Sequence, residues 1–161
     1  MRSWGARASS CALIALVAPL SLVLASCSEE LDQAQSVQTR IGRIDEVVIS
    51  DVTKVSADRA GAISIDYRTG LSPAQVVTLA DEVAHAAASQ DYGDYRLTLR
   101  EAGDPGHVLV VDDTFAQERA ATIVVEHWRR LSTALIGDVT YDAEPGAARI
   151  AVTSDAGFVH D

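Results

Sequence analysis

The chain has 161 residues, a formal net charge of −10 at pH 7 and 48% hydrophobic residues. That acidity excludes the broad basic face that nucleic-acid recognition demands, and it argues against electrostatic adhesion to anionic lipid headgroups. Its thiols are Cys11 and Cys27, so thiol or disulfide chemistry can start nowhere else.

Residues 1–26 have the layout of a targeting segment. Arg2 and Arg7 make a short basic region, and an apolar run follows from Cys11 to Ala25, with Leu13, Ile14, Leu16, Val17, Leu20, Leu22, Val23 and Leu24. The run is short of the roughly 20 residues a spanning helix wants, and Pro19 interrupts its hydrogen bonding. Residues 1–26 are therefore predicted to be a signal peptide that is removed.

The segment ends in Leu24-Ala25-Ser26-Cys27. An aliphatic residue, two small residues and a cysteine resemble the lipobox of bacterial lipoprotein signal peptides. The resemblance covers residues 1–27 and implies cleavage before Cys27, diacylglycerol on its sulfur, and in some members a further acyl chain, such as palmitate, on the new amino group. Two or three chains hold a protein to a bilayer far more durably than one. The partner this implies is a membrane, through lipid on Cys27, with the rest of the chain on the extracytoplasmic face of the cell membrane.

Removing residues 1–26 from 161 leaves 135, enough for one domain that buries roughly two-thirds of its unfolded surface. The cut takes Arg2 and Arg7 but no acid, which moves the formal charge from −10 to −12, and it leaves no cysteine pair. A hydrophobic core must then supply the stability. Beyond the lipidated cysteine, residues 28–40 are polar and read as a tether, so that 27–40 is anchor and tether and 41–161 a single domain.

In chain order, residues 44–55 are β-branched and read as a strand, and 62–68 alternate cleanly, with Ile63, Ile65 and Tyr67 on one face. Ser72-Pro73-Ala74-Gln75 supplies an N-cap, a first-turn proline and an N3 glutamine for a capping box, opening a helix to about Ser89 with Val76, Leu79, Ala80, Val83 and Ala87 inward. Residues 95–101 return to period two. Turn residues 103–106 lead into His107-Val108-Leu109-Val110-Val111, a continuously apolar strand expected near the middle of a covered sheet. Thr114-Phe115-Ala116-Gln117 repeats the capping-box pattern, which predicts a second helix to about Leu135 with the stripe Ala120, Val124, Trp128, Leu131 and Leu135. A last hairpin turns at Glu144-Pro145-Gly146-Ala147.

The expected class is α+β, an antiparallel sheet with two helices on one face. Strands 62–68, 95–101, 107–112 and 138–143 with the intervening helices resemble the ferredoxin-like split βαβ plan, with additional strands. In that plan the first core strand is internal. Either strand 44–55 lies elsewhere or the strand order differs.

Chemical motifs are sparse. Asp112-Asp113 before the second helix, with Glu118, could face a cation, but helix capping explains them more simply. Asp91, Tyr92, Asp94 and Tyr95 form a loop cluster that could meet a basic partner, or could cap and pack. His85 and His127 fall on helices, His107 opens a strand and His160 adjoins the end, and none makes an i,i+4 metal pair. No nucleophile elbow, phosphate loop or dinucleotide pattern is present, so no catalytic residue, metal site or cofactor is assigned. The expected role is a non-enzymatic envelope module that engages a protein partner. A carrier or sensor of a small apolar ligand, with Val76, Val83, Val124, Trp128 and Leu131 lining its pocket, is the alternative, and a hydrolase the third.

Overall fold

The computed structural model describes residues 31–54, 60–134, 137–144 and 147–153. Residues 1–30, with the signal segment and Cys27, lie outside that set, as do Pro145 and Gly146 of the expected last turn and His160. The fold is α+β, and the described residues form six strands in one sheet and three helices. In chain order these are α1 (residues 31–41), β1 (Val47–Thr53), β2 (Gly61–Tyr67), α2 (Pro73–Ala88), β3 (Tyr95–Glu101), β4 (His107–Asp112), α3 (Ala121–Ala134), β5 (Asp138–Glu144) and β6 (Ala147–Thr153), with a short 3₁₀ turn at Phe115–Gln117.

Alternation in the strands decides which face is buried. Ile63 pairs with Leu97 and Leu97 with Val111; Ile65 pairs with Leu99, Leu99 with Leu109, and Leu109 with Tyr141. Residues directly opposite share a face, so one apolar surface runs from β2 to β5. Val76, Leu79, Ala80, Val83 and Ala87 of α2 and Ala121, Val125 and Trp128 of α3 are buried in the same core. The opposite face is polar. There Asp66 accepts from Arg100 Nε at 2.8 Å, and Arg96 reaches Asp142 across the intervening strand. Val108 and Val110 lie half-buried on this face. The β4 strand is interior, as its apolar run suggested, but among the described residues helices cover only one side of the sheet.

The tether expectation does not hold for residues 31–40. They are helical, and Ala34, Val37 and Ile41 are buried in the core, with Gln38 Nε2 donating to Ser50 O at 2.9 Å. Three apolar residues at spacings of three and four make a stripe too thin to stand out among Gln, Thr and Arg, yet wide enough to seal the edge of the sheet.

Strand order also departs from the ferredoxin-like plan. It follows the chain from β1 to β6, with β2·β3 and β4·β5 parallel and the other pairs antiparallel. The sheet is mixed, not antiparallel, and each crossover joins adjacent strands. Strand direction reverses between β3 and β4 while the order keeps advancing, and α2 and α3 touch each other on one face. Two such crossovers must have opposite hands, so one runs against the usual right-handed preference.

The second capping box does not open α3. Thr114 makes no side-chain cap bond; Phe115 is buried at the start of the 3₁₀ turn, and Glu118 is extended at ψ 135°. That break resets the helix, which turns Ala121 and Val125 inward in place of Ala120 and Val124.

Candidate functional site

Val76 and Val83 are 0% exposed and Trp128 is 2% exposed, while Val124 and Leu131 are half-buried at the edge of the core. Val124 borders a small pocket of about 200 Å³ with Phe115 and Tyr141, and Trp128 borders a different cleft with Arg129, so no described cleft brings these five side chains together. Polar groups gather at the two ends of the sheet instead.

At one end, two loops far apart in sequence meet. The turn before β3 brings Asp91, Asp94 and Tyr95, and the segment after β4 brings Asp113 and Thr114; Asp81 and His85 of α2 complete an open acidic cleft of about 540 Å³. Asp91 sits at φ 51° and Gly93 at φ 79°, left-handed positions that turn the chain sharply into β3. Burial pushes the Asp113 carboxyl above its ordinary range, and the charges of Asp94 and Asp112 push it further. The Tyr95 phenol is raised strongly, by burial first and then by Asp113, Asp112 and Asp81, and its oxygen has no hydrogen-bond partner among the described residues. Asp112 Oδ1 accepts from Thr114 N at 3.0 Å and Thr114 Oγ1 at 2.9 Å, a local turn in place of the helix cap expected there. Among the described residues no three His, Cys, Asp or Glu side chains converge as a metal site would need.

At the other end, six residues along β3 from Tyr95 and so about 20 Å away, Glu101 borders a smaller cleft of about 220 Å³ with Asp104, His107, Trp128, Arg129 and Ser132. The 103–106 turn sets Asp104 Oδ2 2.5 Å from His107 Nδ1. On α3, Trp128 and Ser132 are four apart and so share a face, with Arg129 beside them. Trp128 Nε1, Arg129 Nε and Nη2, Ser132 Oγ and the nearby Tyr67 hydroxyl are all buried without a hydrogen-bond partner among the described residues. Burial raises the Tyr67 phenol; the neighbouring Arg129 guanidinium opposes the rise, and Glu101 and Asp104 add to it. The phenol therefore keeps its proton and stays a donor. Arg129 Nη2 stands 4.0 Å from Glu101 Oε2, beyond hydrogen-bond length, while Glu101 Oε1 accepts from Gly70 N at 2.8 Å.

His107, Asp104 and Ser132 share this cleft, but Ser132 Oγ has no hydrogen-bond partner among the described residues, so the nucleophile-to-base contact of hydrolytic sites is not formed. The exposed His127 joins neither cleft. Sequence reasoning passed over Tyr67, Glu101, Arg129 and Ser132. Asp104 and His107, three apart around a turn, were the readable signal; an arginine beside the inward tryptophan of α3 was the other. Comparison with protein-family models, with curated proteins and with solved structures found no match to this chain.

Proposed function

We propose that the chain is a lipoprotein of the cell envelope, cleaved before Cys27, anchored by lipid on that cysteine, and serving on the extracytoplasmic face as a non-enzymatic module that engages another envelope protein. The observation that carries this reading is the lipobox-like Leu24-Ala25-Ser26-Cys27 behind a basic and apolar leader. Among the described residues no helix is long and apolar enough to cross a membrane, so an anchor must come from elsewhere in the chain.

The position of α1 shapes what such an anchor would do. Three residues separate Cys27 from residue 31, a span of at most about 14 Å. The domain would ride close on the bilayer instead of swinging on a long arm. Gln33 Nε2 donates to Gln90 O at 2.6 Å and Asp91 O at 2.8 Å, which fixes the start of α1 beside the acidic cleft. That end would face the lipid, and the Trp128 and Arg129 end would face outward.

The surface best suited to a partner chain is β6. All seven of its residues are exposed, and Ile150 and Val152 extend the core face with no helix over them among the described residues. The opposite edge, β1, is interrupted by a bulge between Val47 and Ile49 and carries Asp51. Bulges and charges blunt an edge, whereas β6 has a single charge, Arg149, and no proline.

The test is fractionation of cells expressing the chain or its Cys27→Ala variant, combined with cross-linking from a photoreactive residue at Ile150. The reading requires membrane retention that depends on Cys27 and one recurrent cross-linked protein. Equal retention of both forms, or no specific adduct, contradicts it.

A further inference from the structure

We propose that the cleft between the end of β3 and α3 is a binding site for a small zwitterion, an α-amino acid or a molecule with the same adjacent carboxylate and ammonium groups. The inference stands on the chemistry of the cleft and holds whether or not Cys27 is lipidated.

The carboxylate half follows from the donors. Trp128 Nε1, Arg129 Nε and Nη2, and Ser132 Oγ lie at one cleft without acceptors among the described residues. Indole and guanidinium nitrogens can only donate. Buried donors left unpaired are costly, and several in one place call for a shared acceptor-rich group. Planar bidentate pairing with a carboxylate is what a guanidinium does best. The internal candidate, Glu101, does not close that pair: its Oε2 stops 4.0 Å away and its other oxygen is held by Gly70 N.

The ammonium half follows from the charge. Two carboxylates, Glu101 and Asp104, line the cleft against one guanidinium, Arg129. A phosphate or dicarboxylate would enter against that balance. A zwitterion adds no net charge, sets its carboxylate on Arg129, Trp128 and Ser132, and offers its ammonium to Glu101 and Asp104. At about 220 Å³ the cleft falls below the roughly 300–1,000 Å³ typical of drug-sized ligands, which points to a molecule of a few heavy atoms.

The experiment follows the indole N–H of Trp128 by ¹⁵N NMR in the full chain carrying Trp4→Phe, so that one indole remains. Glycine, alanine, serine and glutamate are titrated, with acetate, methylamine and inorganic phosphate as single-charge comparisons. At least one amino acid should move the resonance saturably at millimolar concentration or below, more tightly than acetate, with no response to methylamine or phosphate. Arg129→Met should weaken binding by roughly tenfold or more. Ser132→Ala, which removes one unpartnered hydroxyl and should leave the fold intact, should weaken it less. Glu101→Gln should weaken amino acids and leave acetate unchanged or tighter. The proposal is overturned if no amino acid moves the indole, as when ordered water alone serves the donors, or if acetate binds as well as every amino acid and Glu101→Gln affects both alike.

Discussion

Gly61 lies against the ring of Tyr92: a Cβ placed on Gly61 would come within 2.6 Å of the Tyr92 Cε1 and hydroxyl oxygen. The ring has nowhere to go. Tyr92 is fully buried, its hydroxyl donates to Thr53 O at 2.6 Å, and Lys54 Nζ, 5.3 Å from the ring centroid, donates to Tyr92 O at 2.8 Å. Gly61→Ala should therefore lower stability by about 1–3 kcal/mol through overpacking, read as a shift of the urea midpoint. An unchanged midpoint would mean that the contact is looser than described.

The helical reading of residues 31–41 is tested by a pair of substitutions. Val37 is 0% exposed and Leu31 69% exposed on the same helix. Val37→Asp buries a carboxylate with no partner and should cost about 3 kcal/mol or more, whereas Leu31→Asp should stay within about 0.5 kcal/mol. Were this segment a solvated tether, urea unfolding would find both substitutions neutral.

The acidic cleft predicts a pH dependence with a definite sign. The Asp113 carboxyl is raised above 3.8 in the folded protein, by burial first and then by Asp94 and Asp112. The folded state thus binds that proton more tightly than the unfolded state, so this group's contribution to stability falls as pH rises through its folded pKa and levels off above it. Asp113→Asn removes the penalty. The variant should melt higher than the parent near neutral pH, and its advantage should shrink as pH drops below the ordinary carboxylate range. Equal melting differences at acid and neutral pH would contradict the assignment.

Two segments with the same capping-box spelling should respond differently to the same change. Ser72 Oγ accepts from Gln75 N at 3.3 Å and Gln75 Oε1 accepts from Ser72 N at 2.8 Å, while Thr114 caps nothing with its side chain and only donates to Asp112. Ser72→Ala should cost about 1 kcal/mol. Thr114→Ala should cost a few tenths by comparison, since it loses one exposed hydroxyl bond. Thermal unfolding of the two variants side by side distinguishes them.

These pairs show how far the sequence carried. Ser72-Pro73-Ala74-Gln75 and the alternation of Ile63, Ile65 and Tyr67 are local signals, and both elements form where those residues place them. The start of α3 depends on Phe115 reaching the core, a tertiary contact that overrides the Thr114 to Gln117 pattern. Strand order was less legible still. The ferredoxin-like plan keeps two helices on one face with both crossovers right-handed, and no residue pattern announces that this chain takes the sequential order with opposite hands. Of the candidate sites, Asp104 and His107 were visible as neighbours around a turn. The meeting of Asp91 and Asp94 with Asp113, and of Glu101 with Arg129, follows from strand register, which single-sequence reasoning does not reach.

The most direct test of the account is the mass of the N-terminal peptide of the protein extracted from its own membrane. Cleavage and anchoring at Cys27 require a peptide that begins at that residue and carries diacylglycerol on the sulfur, with Ser28 next, three residues ahead of the described helix. An N-terminal peptide that begins at any other residue, or an unmodified Cys27, would contradict the lipid anchor and the close-tethered placement built on it.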